Sequence, residues 1–138
     1  MTESEFIQIE VAYPFHHAVS ALRADVRPLR ARFEDLALEV RTALQTKGVI
    51  APVLEARLDL RYADQPDALT VRLPLEIENG AICLADPLPL DAQALRQAID
   101  LFLATYAQRF GNGQQDTPLQ AVLLRVVGCG VVTLADHQ

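Results

Sequence analysis

Residues 54–74 read LEARLDLRYADQPDALTVRLP, two runs in which apolar and charged side chains alternate on either side of a turn. A period of two is what a strand requires, because successive side chains of a strand point to opposite faces of the sheet. The segment Asp64-Gln65-Pro66-Asp67 supplies the residue types of a turn between the runs. We therefore predict an antiparallel hairpin with one apolar face and one charged face.

The apolar positions of both runs are predicted to face the core. They are Leu54, Ala56, Leu58, Leu60, Tyr62, Leu69, Val71, Leu73, Leu75 and Ile77. If the turn centres on residues 65 and 66, Leu60 pairs with Val71 on the apolar face. The same register places Asp59 opposite Arg72 on the charged face.

Two segments have the apolar spacing of amphipathic helices. The first runs from about Leu29 to Thr46 and ends at Lys47-Gly48, which place a cation and a flexible residue at the helix end. The second begins after a cap at Asp91 and runs to about Phe110. Its apolar stripe consists of Leu95, Ile99, Phe102, Leu103, Tyr106 and Phe110.

Further strands are predicted from alternating or continuous apolar runs. They are Phe6–Val11, Ala81–Leu84, and Leu119–Val127 with Gly128 and Gly130 allowing a bend before Val131–Leu134. A mostly antiparallel sheet of about four strands, with two helices packed on one face, is the simplest arrangement that buries both helical stripes. The predicted fold class is therefore α+β.

The length of 138 residues fits a single domain. We expect residues 1–28 to be an N-terminal extension and a possible interface segment. Residues 29–134 are expected to form the α+β domain, and residues 135–138 a tail.

Composition excludes several classes of function. A net charge of −6 argues against a nucleic-acid partner, because such affinity comes from a Lys/Arg surface that releases counterions. The most apolar stretch, Leu119 to Ala135, contains Arg125 and is shorter than a membrane-spanning helix, so no membrane partner is expected. Two cysteines and an acidic start, MTESEFIQIE, indicate a cytoplasmic protein with reduced thiols.

Residues capable of catalysis are scarce. Neither serine lies in a nucleophile elbow. His16 and His17 are adjacent and point in different directions, which favours surface or interface histidines over a ligand or acid/base role. Cys83 and Cys129 lie in apolar strands and are interpreted as small buried hydrophobes, with a metal, redox or disulfide role as the alternative. We expect no catalytic, cofactor-binding or metal-ligating residue in this chain.

The charged face of the hairpin carries both signs of charge, on Arg57, Asp59, Arg61 and Arg72. Such a face suits a polar protein interface better than a small-molecule pocket, and water is the alternative occupant because antiparallel sheets often leave one face wet. Arg109, near the end of the second helix, can cap carbonyls or cross an interface.

Three successive regions of the chain resemble the C-terminal region of hydantoinase A/oxoprolinase-type proteins. They read RFEDLALEVRTALQTKGV, then RLDLRYADQPDALTVRLP, then YAQRFGN followed by LQAVLLRVVGCG, and they cover about residues 32–130. Arg61, Tyr62 and Gln65 match an RY.GQ element of the family, with Asp64 where glycine is usual. Together, the charged face, the helix end and this element give the candidate interface residues Arg57, Asp59, Arg61, Gln65, Arg72 and Arg109.

The resemblance implies a function in a larger assembly. In that family an ATPase core precedes this region, and 138 residues cannot contain it, so the chain is expected to be a detached, non-catalytic structural subunit. The expected complex is an ATP-dependent, biotin-independent ketone carboxylase of the acetophenone carboxylase type, which converts acetophenone and bicarbonate to benzoylacetate. A larger hydantoinase A-like ATPase subunit and other carboxylase subunits are the expected partners, and they are expected to bind ATP with a divalent metal.

Other functions stay open at this point. The chain can instead belong to a hydantoinase/oxoprolinase-type ATP-dependent amidohydrolase. A free-standing module that binds a small apolar ligand on the concave side of the sheet is a second alternative. A third is a small independent enzyme that uses His16 or His17.

Overall fold

The computed structural model describes residues 3–73, 77–78, 81–82, 90–111 and 117–134. In chain order its elements are β1 (Glu3–Ala18), α1 (Val19–Ala24), α2 (Arg27–Thr46), β2 (Val53–Tyr62), β3 (Leu69–Arg72), β4 (Ile77–Glu78), β5 (Ala81–Ile82), α3 (Ala92–Phe110) and β6 (Leu119–Leu134). The main sheet is antiparallel with strand order β1-β6-β2-β3, and the long helices α2 and α3 cover one face of it. This confirms the predicted α+β class.

The hairpin at residues 54–74 has the predicted faces but a different register. All five inward side chains of β2 are buried: Leu54, Ala56, Leu58, Leu60 and Tyr62. Leu58, rather than Leu60, lies opposite Val71, and Asp59 lies opposite Thr70 rather than Arg72, so the predicted pairing was wrong by two residues. The cause is an earlier turn, in which the amide of Gln65 donates to the carbonyl of Tyr62 at 3.0 Å. A shift of two keeps every side chain on its predicted face.

Strand β6 lies at the centre of the sheet and continues through both glycines, so the predicted bend there was wrong. The glycines instead allow close packing. A Cβ atom at Gly128 would lie 2.4 Å from Cγ1 of Val40, and one at Gly130 would lie 2.2 Å from Cγ1 of Val49. Their absent side chains therefore let α2 and the segment after it approach the middle of the sheet.

The N-terminal segment forms a longer strand than the predicted Phe6–Val11. Strand β1 pairs antiparallel with β6 from Glu3 opposite Leu134 to Ala18 opposite Gln120, with a register shift between Pro14 and His17. Residues 3–18 of the expected extension thus belong to the main sheet as an edge strand. Whether they also contact another chain stays a prediction.

Both long helices begin and end close to their predicted bounds. Pro28 lies in the first turn of α2, where proline is tolerated because its missing N–H has no helical partner. The side chain of Asp91 caps α3 by accepting a hydrogen bond from the amide of Ala94 at 2.9 Å. Two members of the predicted α3 stripe are outside the core. Leu103 is 40% exposed because it lies 100° around the helix from Phe102, and Phe110 is 59% exposed in the final turn.

Of the predicted strand Ala81–Leu84 the structure describes Ala81–Ile82, which form β5 outside the main sheet. The backbone of β5 pairs with β4 in a separate two-stranded ladder, not with the main sheet. After β3 the amide of Leu73 still donates to the carbonyl of Ala56 at 3.0 Å. The predictions for Cys83, Leu84 and the tail at 135–138 lie outside the described residues. Of the helices in the described residues, none is long and apolar enough to cross a membrane.

Candidate interface on the outer sheet face

The face of the sheet that points away from the helices carries a network of charged and polar side chains. We call it the outer face and define it by Glu10 on β1, Arg125 on β6, Glu55, Arg57, Asp59 and Arg61 on β2, and Thr70 and Arg72 on β3. It places four of the six predicted interface residues together: Arg57, Asp59, Arg61 and Arg72.

Asp59 and Arg125 form the centre of this network. Nε and Nη2 of Arg125 donate to Oδ1 and Oδ2 of Asp59 at 3.1 and 3.0 Å, which is the two-pronged geometry that a planar guanidinium favours. Nη1 of Arg125 donates to Oε2 of Glu10 at 3.1 Å, and the hydroxyl of Thr70 donates to Oδ1 of Asp59 at 2.6 Å. One connected set of polar contacts therefore crosses all four strands.

Burial makes this centre more than a surface ion pair. Asp59 is only 7% exposed, and it is the one buried charged residue in the described part of the chain. The pKa of Arg125 is raised chiefly by its hydrogen bonds to the Asp59 carboxylate. The negative charge of Asp59 raises it further. A buried carboxylate needs such partners, because removing them leaves an unpaired charge in the interior, which costs on the order of several kcal/mol.

Three arginines lie side by side across the sheet, since Arg57 is directly opposite both Arg72 on β3 and Arg125 on β6. Like charges opposite one another destabilise a sheet, so neighbouring acids must offset them. Glu55 does so for two of the three: it accepts from Nε of Arg57 and from Nε of Arg72, the latter at 3.1 Å. The face is therefore dense in charge yet nearly neutral in sum.

The other side chains predicted for an interface lie elsewhere or have polar partners in the chain. Arg61 donates from Nη2 to Oε1 of Gln120 at 3.1 Å. Gln65 lies in the β2–β3 loop, beside a cavity of about 120 Å³ that Tyr106 and Phe110 also line. Arg109 lies exposed in the last turn of α3. The structure thus separates Gln65 and Arg109 from the outer face.

Sequence reasoning missed Glu10 and the central role of Arg125. Asp59 and Arg125 are 66 residues apart, and Glu10 and Arg125 are 115 apart, so no local spacing reveals these pairs. One signal was present, because Arg125 is the only charged residue in the apolar stretch that became β6. A lone charge in a central strand needs a partner on a neighbouring strand.

His16, His17 and Cys129 are the remaining candidates that the structure describes. His16 and His17 are both exposed, and the ring of His17 stacks on Phe15 with centroids 3.9 Å apart. Cys129 is a free, half-buried thiol on β6. Within the described residues, no three His, Cys, Asp or Glu side chains are grouped so that they could hold a metal ion.

Comparisons with known proteins identify the fold. No family model matches the chain, and no curated protein matches it in sequence. The fold is similar to part of a nucleotide-free acetone carboxylase structure, solved in work on ATP-dependent acetone carboxylation, with a TM-score of 0.68 and 16% identity. It is also similar to part of the ATP-dependent caprolactamase from Pseudomonas jessenii, with a TM-score of 0.73 and 17% identity.

The extent of these matches is uneven. They cover 91% and 90% of this chain but only 17% of each solved chain, so this chain spans about a sixth of the length of the proteins it matches. At such low identity the similarity establishes a shared fold and nothing finer.

Proposed function

We propose that this chain is a non-catalytic structural component of an ATP-dependent, biotin-independent carboxylase complex. The observation that carries the proposal is the backbone similarity of nearly the whole chain to a small part of a much longer acetone carboxylase chain. A segment of that size is better suited to a structural role in an assembly than to forming an ATP-dependent active site. In this proposal the substrate is a ketone, acetophenone in particular, which is joined to bicarbonate.

The outer face supports a role in assembly. Its side chains include four arginines, the charged residue most enriched at protein interfaces, and its charges of both signs fit a polar surface on a partner. The paired ends of Arg57 and Arg72 hold their side chains in place, which lowers the entropy cost of binding. The proposed occupant is the larger ATPase subunit, which would hold ATP and a divalent metal.

Reconstitution tests the proposal. The chain is co-expressed with the larger ATPase-bearing subunits, and ATP-dependent incorporation of labelled bicarbonate into acetophenone is measured with and without it. We expect omission of the chain to dissociate the complex and to abolish incorporation. A complex of unchanged mass and activity without the chain would contradict the assignment.

Charge reversal on the outer face tests which surface is used. Arg61→Glu and Arg72→Glu are expected to weaken association with the larger subunit at least tenfold, because each places a carboxylate where the partner meets a cation. Arg96→Glu is the matched control, since Arg96 is exposed on α3 beneath the opposite face. Equal affinities for all three variants, measured by biolayer interferometry, would exclude the outer face as the interface.

An ATP-dependent amidohydrolase complex is the second candidate, favoured by the similarity to the caprolactamase. The same reconstituted complex distinguishes the two reactions: ATP-dependent opening of a lactam or hydantoin ring without ketone carboxylation would assign it to the amidohydrolases. The alternative of a free-standing ligand-binding module also stays a prediction. The cavity beside Gln65, at about 120 Å³, is smaller than the roughly 300–1,000 Å³ of ordinary ligand pockets, whereas two other depressions, one beside Arg96 and one beside His16, reach about 530 and 420 Å³.

A further inference from the structure

Strand β1 presents a long free edge at one side of the main sheet. Strand β1 lies at one edge of the sheet and, among the residues that the structure describes, pairs only with β6, so its other side has no partner strand in that part of the chain. It spans 16 residues, whereas β3, at the opposite edge of the sheet, spans only four. A long exposed edge presents backbone N–H and C=O groups that readily pair with another strand.

We propose that this edge pairs antiparallel with β1 of a second copy of the chain, around a two-fold axis at Ile9. The regular part of the strand ends at Pro14, where the register shift begins and where the backbone has no N–H to donate. A two-fold axis at Ile9 pairs residues 5–13 of one copy with residues 13–5 of the other. It therefore uses the regular edge and stops before the proline.

The side chains match in this register on the helix-covered face. Ile7, Ile9 and Val11 are partly buried against the core on that face. Ile9 lies opposite itself and Ile7 lies opposite Val11, so apolar side chains that are half covered in one copy cover one another. Moving the axis by one residue, to Glu10, would instead place two carboxylates opposite each other.

The charges at the ends of the ladder also match. Glu5 of one copy lies opposite Tyr13 of the other, and Arg32 lies over the ring of that tyrosine with its guanidinium carbon 4.5 Å from the ring centroid. The exposed Glu5 carboxylate of one copy thus meets a cation of the other. The same contact forms twice, because a two-fold interface is symmetric.

The outer side of this ladder is complementary too. Phe6, which is 64% exposed, lies opposite the small Ala12, so its ring gains cover without a clash across the strands. Gln8 lies opposite Glu10, to which its amide can donate. The result is a continuous eight-stranded sheet with two-fold symmetry, independent of whether the larger partner exists.

The mass of the isolated chain is the first test. We expect sedimentation equilibrium to show reversible association to twice the 15.2 kDa of one chain. Two substitutions at one exposed position then test the register: Gln8→Glu places like charges opposite each other at both symmetric pairs, and Gln8→Lys places opposite charges there. The dimer Kd is expected to rise roughly fivefold for the first and fall roughly fivefold for the second.

Crosslinking tests the axis directly. In a Cys83→Ser/Cys129→Ser background, Ile9→Cys should form an intermolecular disulfide under mild oxidation, because its two copies face each other across the axis. Phe6→Cys is the control, since its two copies are separated by six residues of strand, or about 20 Å. Peptide mapping of the crosslinked band identifies the joined residues.

Three results would overturn the proposal. The first is a mass of one chain at all concentrations. The second is a dimer that responds equally to Gln8→Glu and Gln8→Lys, which would assign it to another surface. The third is amide exchange of residues 5–13 that slows only when the larger subunit is added, which would assign the edge to that subunit.

Discussion

Asp59 shows how a single side chain links the four strands of the sheet. It is 7% exposed, yet it lies on the outer face, because Arg125 and Thr70 cover it from the strands on either side. The carboxylate therefore depends on partners that are distant in the sequence. Its replacement is a test of packing and electrostatics together.

A single and a double variant of this pair give a prediction at the residue scale. Arg125→Met should lower the free energy of unfolding by ~2 kcal/mol, less than the 3–5 kcal/mol of a fully buried pair because the Arg125 side chain is 29% exposed. The double variant Asp59→Leu/Arg125→Met should recover most of that loss, since no buried charge is then left unpaired. Urea denaturation measures both, and Arg27→Met, at an exposed ion pair with Asp25, should leave the midpoint unchanged.

Tyr62 gives a prediction for alkaline pH. Burial, and secondarily the neighbouring Tyr106, raises the pKa of Tyr62 above 10.0. The folded protein thus holds this proton at pH values where the unfolded chain has lost it. Its contribution to stability is complete below pH 10 and is lost as the pH rises above that value toward the folded-state pKa.

Denaturation midpoints between pH 8 and pH 11 check this behaviour. The wild-type midpoint should fall above pH 10 more steeply than that of Tyr62→Phe, which has no phenol to ionise at this site. Tyr13→Phe removes a more exposed phenol and keeps Tyr62, so it should follow the wild type. Parallel curves for wild type and Tyr62→Phe would show that Tyr62 ionises equally in both states.

At the scale of elements, the packing of α2 on β6 depends on one position without a side chain. A Cβ at Gly128 would lie 2.4 Å from Cγ1 of Val40 and 2.8 Å from Cδ1 of Leu44. Valine has one strongly preferred rotamer in a helix, so it cannot easily turn away. The helix itself would have to move from the sheet.

Gly128→Ala is therefore expected to destabilise the protein by ~1–3 kcal/mol through overpacking. Val40→Ala alone should also destabilise it, by leaving a cavity. The double variant Gly128→Ala/Val40→Ala should be more stable than the sum of the single losses predicts, because the new methyl group occupies the vacated space. Additive losses would show that the helix does not pack closely at this glycine.

The cap of α3 gives a further prediction at this scale. Asp91→Ala should lower the free energy of unfolding by ~1 kcal/mol, because the amide of Ala94 loses its acceptor. Asp91→Asn keeps an oxygen acceptor and should cost less. Thermal denaturation followed by circular dichroism compares the two, and equal losses would argue against a capping role.

For the whole molecule, β1 is an integral strand and not an appendage. It pairs along its length with β6, and Ile7, Ile9 and Val11 pack against the core. Strand β6 depends on β1 to satisfy half of its backbone groups. The loss of β1 would therefore leave the backbone groups along one side of β6 without partners.

Deletion of residues 1–18 is expected to abolish the cooperative unfolding transition of the isolated chain. Loss of the near-ultraviolet circular dichroism signal, with helical signal retained, would identify a state without fixed packing. Glu3→Gln/Glu5→Gln is the control, because it changes two exposed side chains and leaves the backbone of β1 intact. A sharp transition after the deletion would show that residues 1–18 are dispensable for folding, as expected for part of the extension predicted at residues 1–28.

Local pattern alone determined the two long helices, the hairpin and the side of each hairpin strand that faces the core. Asp91, the apolar spacing of α2 and the alternation of β2 act over distances of a few residues, and the sequence displays such distances directly. The outward direction of Arg57, Asp59, Arg61 and Arg72 followed from the same alternation.

Tertiary structure decided the strand order, the hairpin register and the partners of the charged residues. A register shift of two leaves the alternation unchanged, so the pattern could not distinguish Thr70 from Arg72 as the residue opposite Asp59. Arg125 forms ion pairs with residues 66 and 115 positions away in the sequence. Gly128 is required because α2 packs closely against it, which only the folded structure shows. These features arise from contacts between distant segments, which the chain establishes only by folding.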